Sequence, residues 1–261
     1  MTDLPATSCS AGTALHDGRE LTAAEQMEFA RRRRQHLLLV ATLGTALAVG
    51  VSGLSVLASQ PKVSRRTWSY GNGQLRIDAE YNGTVRHGHF VEFHENGVTR
   101  AEGHFTHGQE DGHWTRYYWG GGVESDGEMH AGFRHGVWRA WYPDGTPKTV
   151  NSYADGSADG VWQSFHDDGS LASEATYARG LAQGLHRTWH RNGALASEGA
   201  FVDGVAEGEH TVWHDNGHVA ERGTWARGRR HGTVTRFDER GSPSRVQVWV
   251  DGDLVGDGPR G

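Results

Sequence analysis

The stretch GVWRAWYPDG runs from Gly136 to Gly145, and 24 residues later the chain reads GVWQSFHDDG, from Gly160 to Gly169. A phrase repeated at fixed period marks a supersecondary unit that cannot bury its apolar side alone and stacks on copies of itself. Working outward from this pair, glycines recur every 24 residues at Gly88, Gly112, Gly136, Gly160, Gly184, Gly208, Gly232 and Gly256. A second series follows nine residues behind each of the first seven, from Gly97 to Gly241, and a third runs at the same period from Gly108 to Gly252.

With the first glycine of each unit as position 1, position 6 is always aromatic: Phe93, Tyr117, Trp141, Phe165, Trp189, Trp213 and Phe237. Position 3 is Phe90, Trp114, Trp138 and Trp162, then His186, His210 and Val234. Position 18 is Phe105, Met129, Tyr153, Tyr177, Phe201, Trp225 and Trp249. Aromatic and β-branched residues favour strands, and glycine at the boundaries supplies the positive φ of tight turns. A helix would carry a glycine every few residues, at about 1 kcal/mol each.

Each unit therefore predicts a β-hairpin: a strand with two rings, a turn such as His94-Glu95-Asn96-Gly97, and a return strand. In LASEATY, alternation sets Leu171, Ala175 and Tyr177 on one side, and Glu174 and Thr176 on the other. Position 16 is small in most units (Gly103, Gly127, Ala175, Gly199, Gly223), which leaves room for a ring from the neighbouring strand.

The expected fold is all-β, an elongated single-layer antiparallel β-hairpin repeat array preceded by one transmembrane α-helix. Sixteen strands about 4.8 Å apart give a ribbon on the order of 75 Å long. Residues 88–256 hold the seven units. Residues 61–87 read as a linker and a divergent capping repeat, in which Gly73 and Tyr81 keep register. Residues 257–261 form a C-terminal tail, and the polar DGDLVGDGPRG blunts the last edge.

Residues 1–22 read as a disordered tail and 23–60 as a helix, opened by the capping-box pair Thr22 and Glu25. Within it, Leu37 to Ala58 is free of charge and proline, long enough as a helix to cross a bilayer. Arg31, Arg32, Arg33 and Arg34 precede this span while Lys62, Arg65 and Arg66 follow it, which orients the N-terminus to the cytoplasm and the repeats outside. The alternative is secretion after cleavage near Ala58, at Val56-Leu57-Ala58.

A formal net charge of −6 argues against a nucleic-acid binder, which needs a basic footprint. The single Cys9 excludes an intramolecular disulfide and a thiolate metal cluster. Fifteen histidines follow residue 61, several in register: His186 and His210 at position 3, and His166, His190 and His214 at position 7. Equivalent positions lie two strands, about 10 Å, apart, too far to share an ion whose nitrogen ligands stand about 2.1 Å from it. No metal or cofactor is assigned, and the histidines suit an exposed sheet face, with acid-dependent binding as a further use of their charge. No hydrolase, metalloprotease or phosphate-loop motif is present, so no catalytic residue is assigned and the chain is expected not to be an enzyme.

The pattern G-x-W-x-x-F-x-x-x-G with a following Y-x-x-G-x-x-x-G, as in GVWQSFHDDG with Tyr177, Gly180 and Gly184, resembles MORN repeats. It is similar to the variant in bacterial YwqK-type antitoxins of toxin–antitoxin systems. The resemblance covers about Trp68 to Gly256 and implies a non-enzymatic hairpin array that binds a protein or a membrane surface, with neutralisation of a toxin as one role. The chain departs from that pattern in its apolar span. The expectation is a membrane-anchored, protein-binding or scaffold module whose binding face carries Trp114, Trp138, Trp162, His186, His210, His166, His190 and His214. Alternatives are immunity toward a toxin partner and association with lipid or cell wall; self-association is left open.

Overall fold

The computed structural model describes residues 62–258, together with the backbone of residues 15–16 and 19–20. The chain divides into two units, Met1–Ser59 and Gln60–Gly261. In the first, β1 (Leu15–His16) pairs antiparallel with β2 (Arg19–Glu20), a short ladder inside the segment expected as a disordered tail. The expected helix over 23–60, with its apolar span 37–58, lies outside the described residues. No helix among the described residues is long and apolar enough to cross a membrane.

The second unit is a single antiparallel sheet in chain order. The capping repeat gives β3 (Val63–Ser69) and β4 (Leu75–Asn82). The repeats give β5 (Val85–Phe93), β6 (Thr99–Thr106), β7 (Gln109–Tyr117), β8 (Val123–His130), β9 (Phe133–Trp141), β10 (Pro147–Ala154), β11 (Ser157–Phe165) and β12 (Leu171–Ala178). They continue with β13 (Leu181–Trp189), β14 (Leu195–Val202), β15 (Val205–Trp213), β16 (Val219–Ala226), the interrupted course β17 (Arg229–Arg230) and β18 (Gly232–Phe237), and β19 (Pro243–Val250). A last strand, β20 (Asp253–Gly258), pairs with β19. The polar C-terminal stretch therefore adds one more strand to the expected set, where a blunted edge was anticipated. At the start of the order β3 pairs with β4, and at its close β20 pairs with β19.

The position-1 glycines are not at turns. From Gly88 to Gly208 they sit inside the nine-residue strands, at bulges. Asn151 pairs with Trp162 and Tyr153 with Ala158, so one residue of β10 faces three of β11, around Gly160. The same count recurs at Gly112, Gly136 and Gly184. The geometry requires positive φ at the bulge, 96° at Gly160, which L side chains rarely adopt.

Two turn types alternate. In one, Gly97 N–H donates to the His94 carbonyl and His94 N–H to the Val98 carbonyl, with Gly97 at φ 85°. In the other, two residues with positive φ, such as His107 and Gly108 or Asp155 and Gly156, join the strands as type I′ turns, whose twist matches that of the strands.

Core burial comes from one row of side chains on one face, at positions 3 and 18. Phe90, Phe105 and Trp114 touch with ring centroids 5.2–5.7 Å apart. Further along, Tyr153, Trp162, Tyr177, His186, Phe201, His210 and Trp225 stack in sequence at 4.4–5.6 Å. Such pairs contribute about 0.5–1.5 kcal/mol each beyond area burial. Three arginines lie across the row: Arg86 over Phe90 and Phe105, Arg134 over Trp138 and Tyr153, and Arg230 over Trp225 and Trp249.

Where position 16 is glycine, the position-3 side chain of the next strand lies over it, as the small residues there implied. A Cβ on Gly127 would stand 2.5 Å from the Trp138 ring, and Gly103, Gly199 and Gly223 are covered likewise by Trp114, His210 and Val234. Gly127 has no positive φ, so its requirement is for space alone. Gly127→Ala should therefore lower unfolding stability by about 1–3 kcal/mol in a denaturant titration, and an unchanged midpoint would show that Trp138 does not occupy that space.

Candidate binding face

The bulge explains what the position-3 rings do besides stacking. Trp114 Nε1–H donates to the His104 carbonyl at 3.2 Å, Trp138 to Glu128 at 2.8 Å and Trp162 to Ser152 at 2.8 Å. His186 and His210 make the same bond through Nε2–H, to the Thr176 and Ala200 carbonyls at 3.4 and 3.1 Å. A carbonyl can only accept, so each imidazole carries its proton on Nε2 and substitutes for an indole. Burial depresses the pKa of both histidines, partly offset by these bonds; His210 adds like-charge repulsion at His186.

Position 7 forms a second ladder, along the turn edge. Tyr118 and Tyr142 hydroxyls donate to the Trp141 and Phe165 carbonyls of the next unit at 2.8 and 3.0 Å. His166, His190 and His214 donate through Nε2–H to the equivalent Trp189, Trp213 and Phe237 carbonyls at 3.0, 2.9 and 3.2 Å. Tyr70 begins the ladder at the Phe93 carbonyl, 2.7 Å away. Asp238, the last member of the series, has no proton to give and accepts from Arg240 N–H and Ser242 N–H in its own turn.

The structure thus splits the residues expected on one binding face. Trp114 and Trp138, 2% and 3% exposed, are buried in the ring row and present no surface to a partner. Trp162, His186 and His210 are half-buried in that row, and His166, His190 and His214 are half-buried at the turn edge, each holding a backbone carbonyl.

The opposite face carries positions 2, 4, 6, 15 and 17. Contacts across it fix the assignment: Tyr117 at position 6 donates to Glu102 at position 15, and His113 at position 2 meets Glu128 at position 17 at 3.1 Å. The Glu102 carboxylate raises the Tyr117 pKa, chiefly through that hydrogen bond. In three successive units position 2 is apolar and exposed: Val137 (41%), Val161 (48%) and Leu185 (46%). Trp141, Phe165 and Trp189 at position 6 lie half-buried on the same face. Polar pairs accompany them, Gln163 with Glu174 at 2.8 Å and Arg187 with Glu198 at 2.6 Å. The sequence signal for this face was the V-V-L series at position 2, overlooked beside the more prominent rings.

The MORN repeat variant family matches three segments, residues 86–107, 134–155 and 158–178. Each is one hairpin, from the foot of a bulged strand to the next type I′ turn: β5–β6, β9–β10 and β11–β12. The array is similar to MORN repeats in sequence, and its uninterrupted hairpin sheet fits them. No curated protein matches the chain.

Two outcomes follow for the ladder histidines. His190→Phe should cost about 0.5–1.5 kcal/mol of unfolding stability while His190→Tyr restores it, since a phenol makes this bond at Tyr70, Tyr118 and Tyr142; equal stability of the two variants would remove the ladder. For His186 and His210 the folded pKa lies below the unfolded one, so protonation favours the unfolded chain. Their effect is nil above the unfolded pKa and destabilises as pH falls through it. The melting temperature should drop between pH 7.5 and 5.5, less steeply in the His186→Trp/His210→Trp variant; parallel profiles would contradict this.

Proposed function

We propose that the array is a non-enzymatic binding module that docks a protein partner on the face carrying Val137, Val161 and Leu185. The carrying observation is that apolar stripe. A sheet face that serves only as a wet surface needs no aliphatic residue at one position of three consecutive hairpins. Apolar centres beside polar pairs are the composition of protein interfaces. A linear array presents the same position repeatedly, so contact energy accumulates over units.

The resemblance to MORN repeats supports binding of a protein or membrane surface. In this reading the apolar span 37–58 tethers the module to a membrane with the array on the non-cytoplasmic side, and neutralisation of a toxin is one form the docking takes. An acidic array favours a protein over an anionic lipid surface.

The test is native co-purification of the full chain in mild detergent. Val161→Asp/Leu185→Asp should lose the recovered partner while retaining the wild-type melting temperature within a few degrees, and Thr233→Asp, at position 2 of the last unit, should keep it. Recovery of the same partner by the double variant would refute this face as the docking surface.

A further inference from the structure

At one junction between hairpins, three side chains that ligate metals converge. His130 ends β8, His135 lies near the start of β9 and Asp155 opens the type I′ turn after β10. The ligand atoms, one from each residue, all lie within 4.8 Å of one another. His130 Nδ1 stands 3.3 Å and His135 Nδ1 3.4 Å from the same carboxylate oxygen, Asp155 Oδ1. The His130 contact is a long hydrogen bond, of a class that centres near 2.9 Å, and the His135 contact is longer still. They match another geometry. Ligands about 2.0–2.1 Å from a tetrahedral zinc ion stand about 3.3–3.4 Å from each other.

Side-chain exposures of 65%, 53% and 57% leave the site open to solvent, with room for a fourth ligand.

Other junctions provide an internal comparison. At two other junctions the residue equivalent to His135 accepts a bond from the next turn, Glu207 from Arg227 N–H at 2.9 Å and Asp159 from Arg179 N–H at 3.3 Å, while Gln183 donates to Asp203 at 2.7 Å. His231 and Asp251 repeat two of the three ligands, with Nδ1 and Oδ1 3.5 Å apart. There the position of His130 is held by Ala226, and the Arg227 guanidinium lies 3.1 Å from the Asp251 carboxylate. Only the junction at His130 combines all three ligands without an arginine on the carboxylate among the ion pairs of the described residues.

We propose that His130, His135 and Asp155 bind one zinc ion, whose fourth position is left to water or a partner's side chain. The ion ties the β8–β9 hairpin to the turn of the next, a cross-link that hydrogen bonds through exposed side chains do not supply. Imidazole nitrogens and a carboxylate oxygen suit zinc.

The experiment uses the full chain, untagged and in mild detergent, with cobalt(II) as a spectroscopic stand-in and zinc as competitor. The wild type should take up one equivalent with the intense visible absorption of four-coordinate cobalt, lose it on adding one equivalent of zinc, and melt at higher temperature with zinc. His130→Ala should melt like the metal-free wild type, bind at least about tenfold more weakly and show no zinc-dependent rise. Absence of a saturable equivalent in the wild type, or an equivalent that survives His130→Ala, would overturn the assignment; the second result would locate binding at other histidines, such as His87 and His107, whose ring centroids lie 5.4 Å apart.

Discussion

The array depends on one hydrogen bond, from a ring N–H at position 3 to the backbone carbonyl that faces the bulge of the same strand. The bulge interrupts the ladder around residues such as His104, and Trp114 supplies the donor from its own side chain. Everything nearby follows from that bond. The indole must cross the preceding strand to reach the carbonyl, so position 16 has no room for a side chain under Trp114 or Trp138. Once there, it lies between the position-18 residues of two hairpins, and the row of rings is the result. An unsatisfied carbonyl under a ring would cost about 1–3 kcal/mol, comparable to the gain from stacking, so donor and packing have to come from the same residue. Phe90 and Val234, which have no donor, stand in the first and last of the seven units.

The sheet thereby separates its tasks. One face and one turn edge hold the units together through rings and side-chain-to-carbonyl bonds. The other face is left to vary: position 2 is His89 and His113 near one end, aliphatic in the middle, and Glu209 and Thr233 toward the other. Covering of the ring row also varies. Arg86, Arg134 and Arg230 lie across it, while the equivalent positions from Arg134 to Arg230 are Ala158, Ala182 and Ala206. Trp162, His186 and His210 are correspondingly less buried than Trp114 and Trp138.

Period, strand content and the small residues at position 16 were legible because each is a local property copied seven times. The two roles of the histidines were not, because the bonds that define them cross unit boundaries, over 10 residues at His186 and 23 at His190. The exchange of Trp for His at position 3 and of Tyr for His at position 7 was the available clue, since each pair shares a ring-borne donor and little else. The bulges also misled: Gly160 looked like punctuation between strands, and its place inside β11 shows only in the register. The convergence of His130, His135 and Asp155 escaped a search for equivalent positions because its members occupy three different places in the repeat.

Asp238 gives the position-7 ladder a terminus with chemical meaning. Every earlier residue of that series from Tyr70 onward can pass a proton-bearing ring to its successor, whereas a carboxylate bends back and serves its own loop. A side chain that only accepts can satisfy its own turn but cannot hold the carbonyl of a further hairpin, so that edge is chemically closed at its last rung.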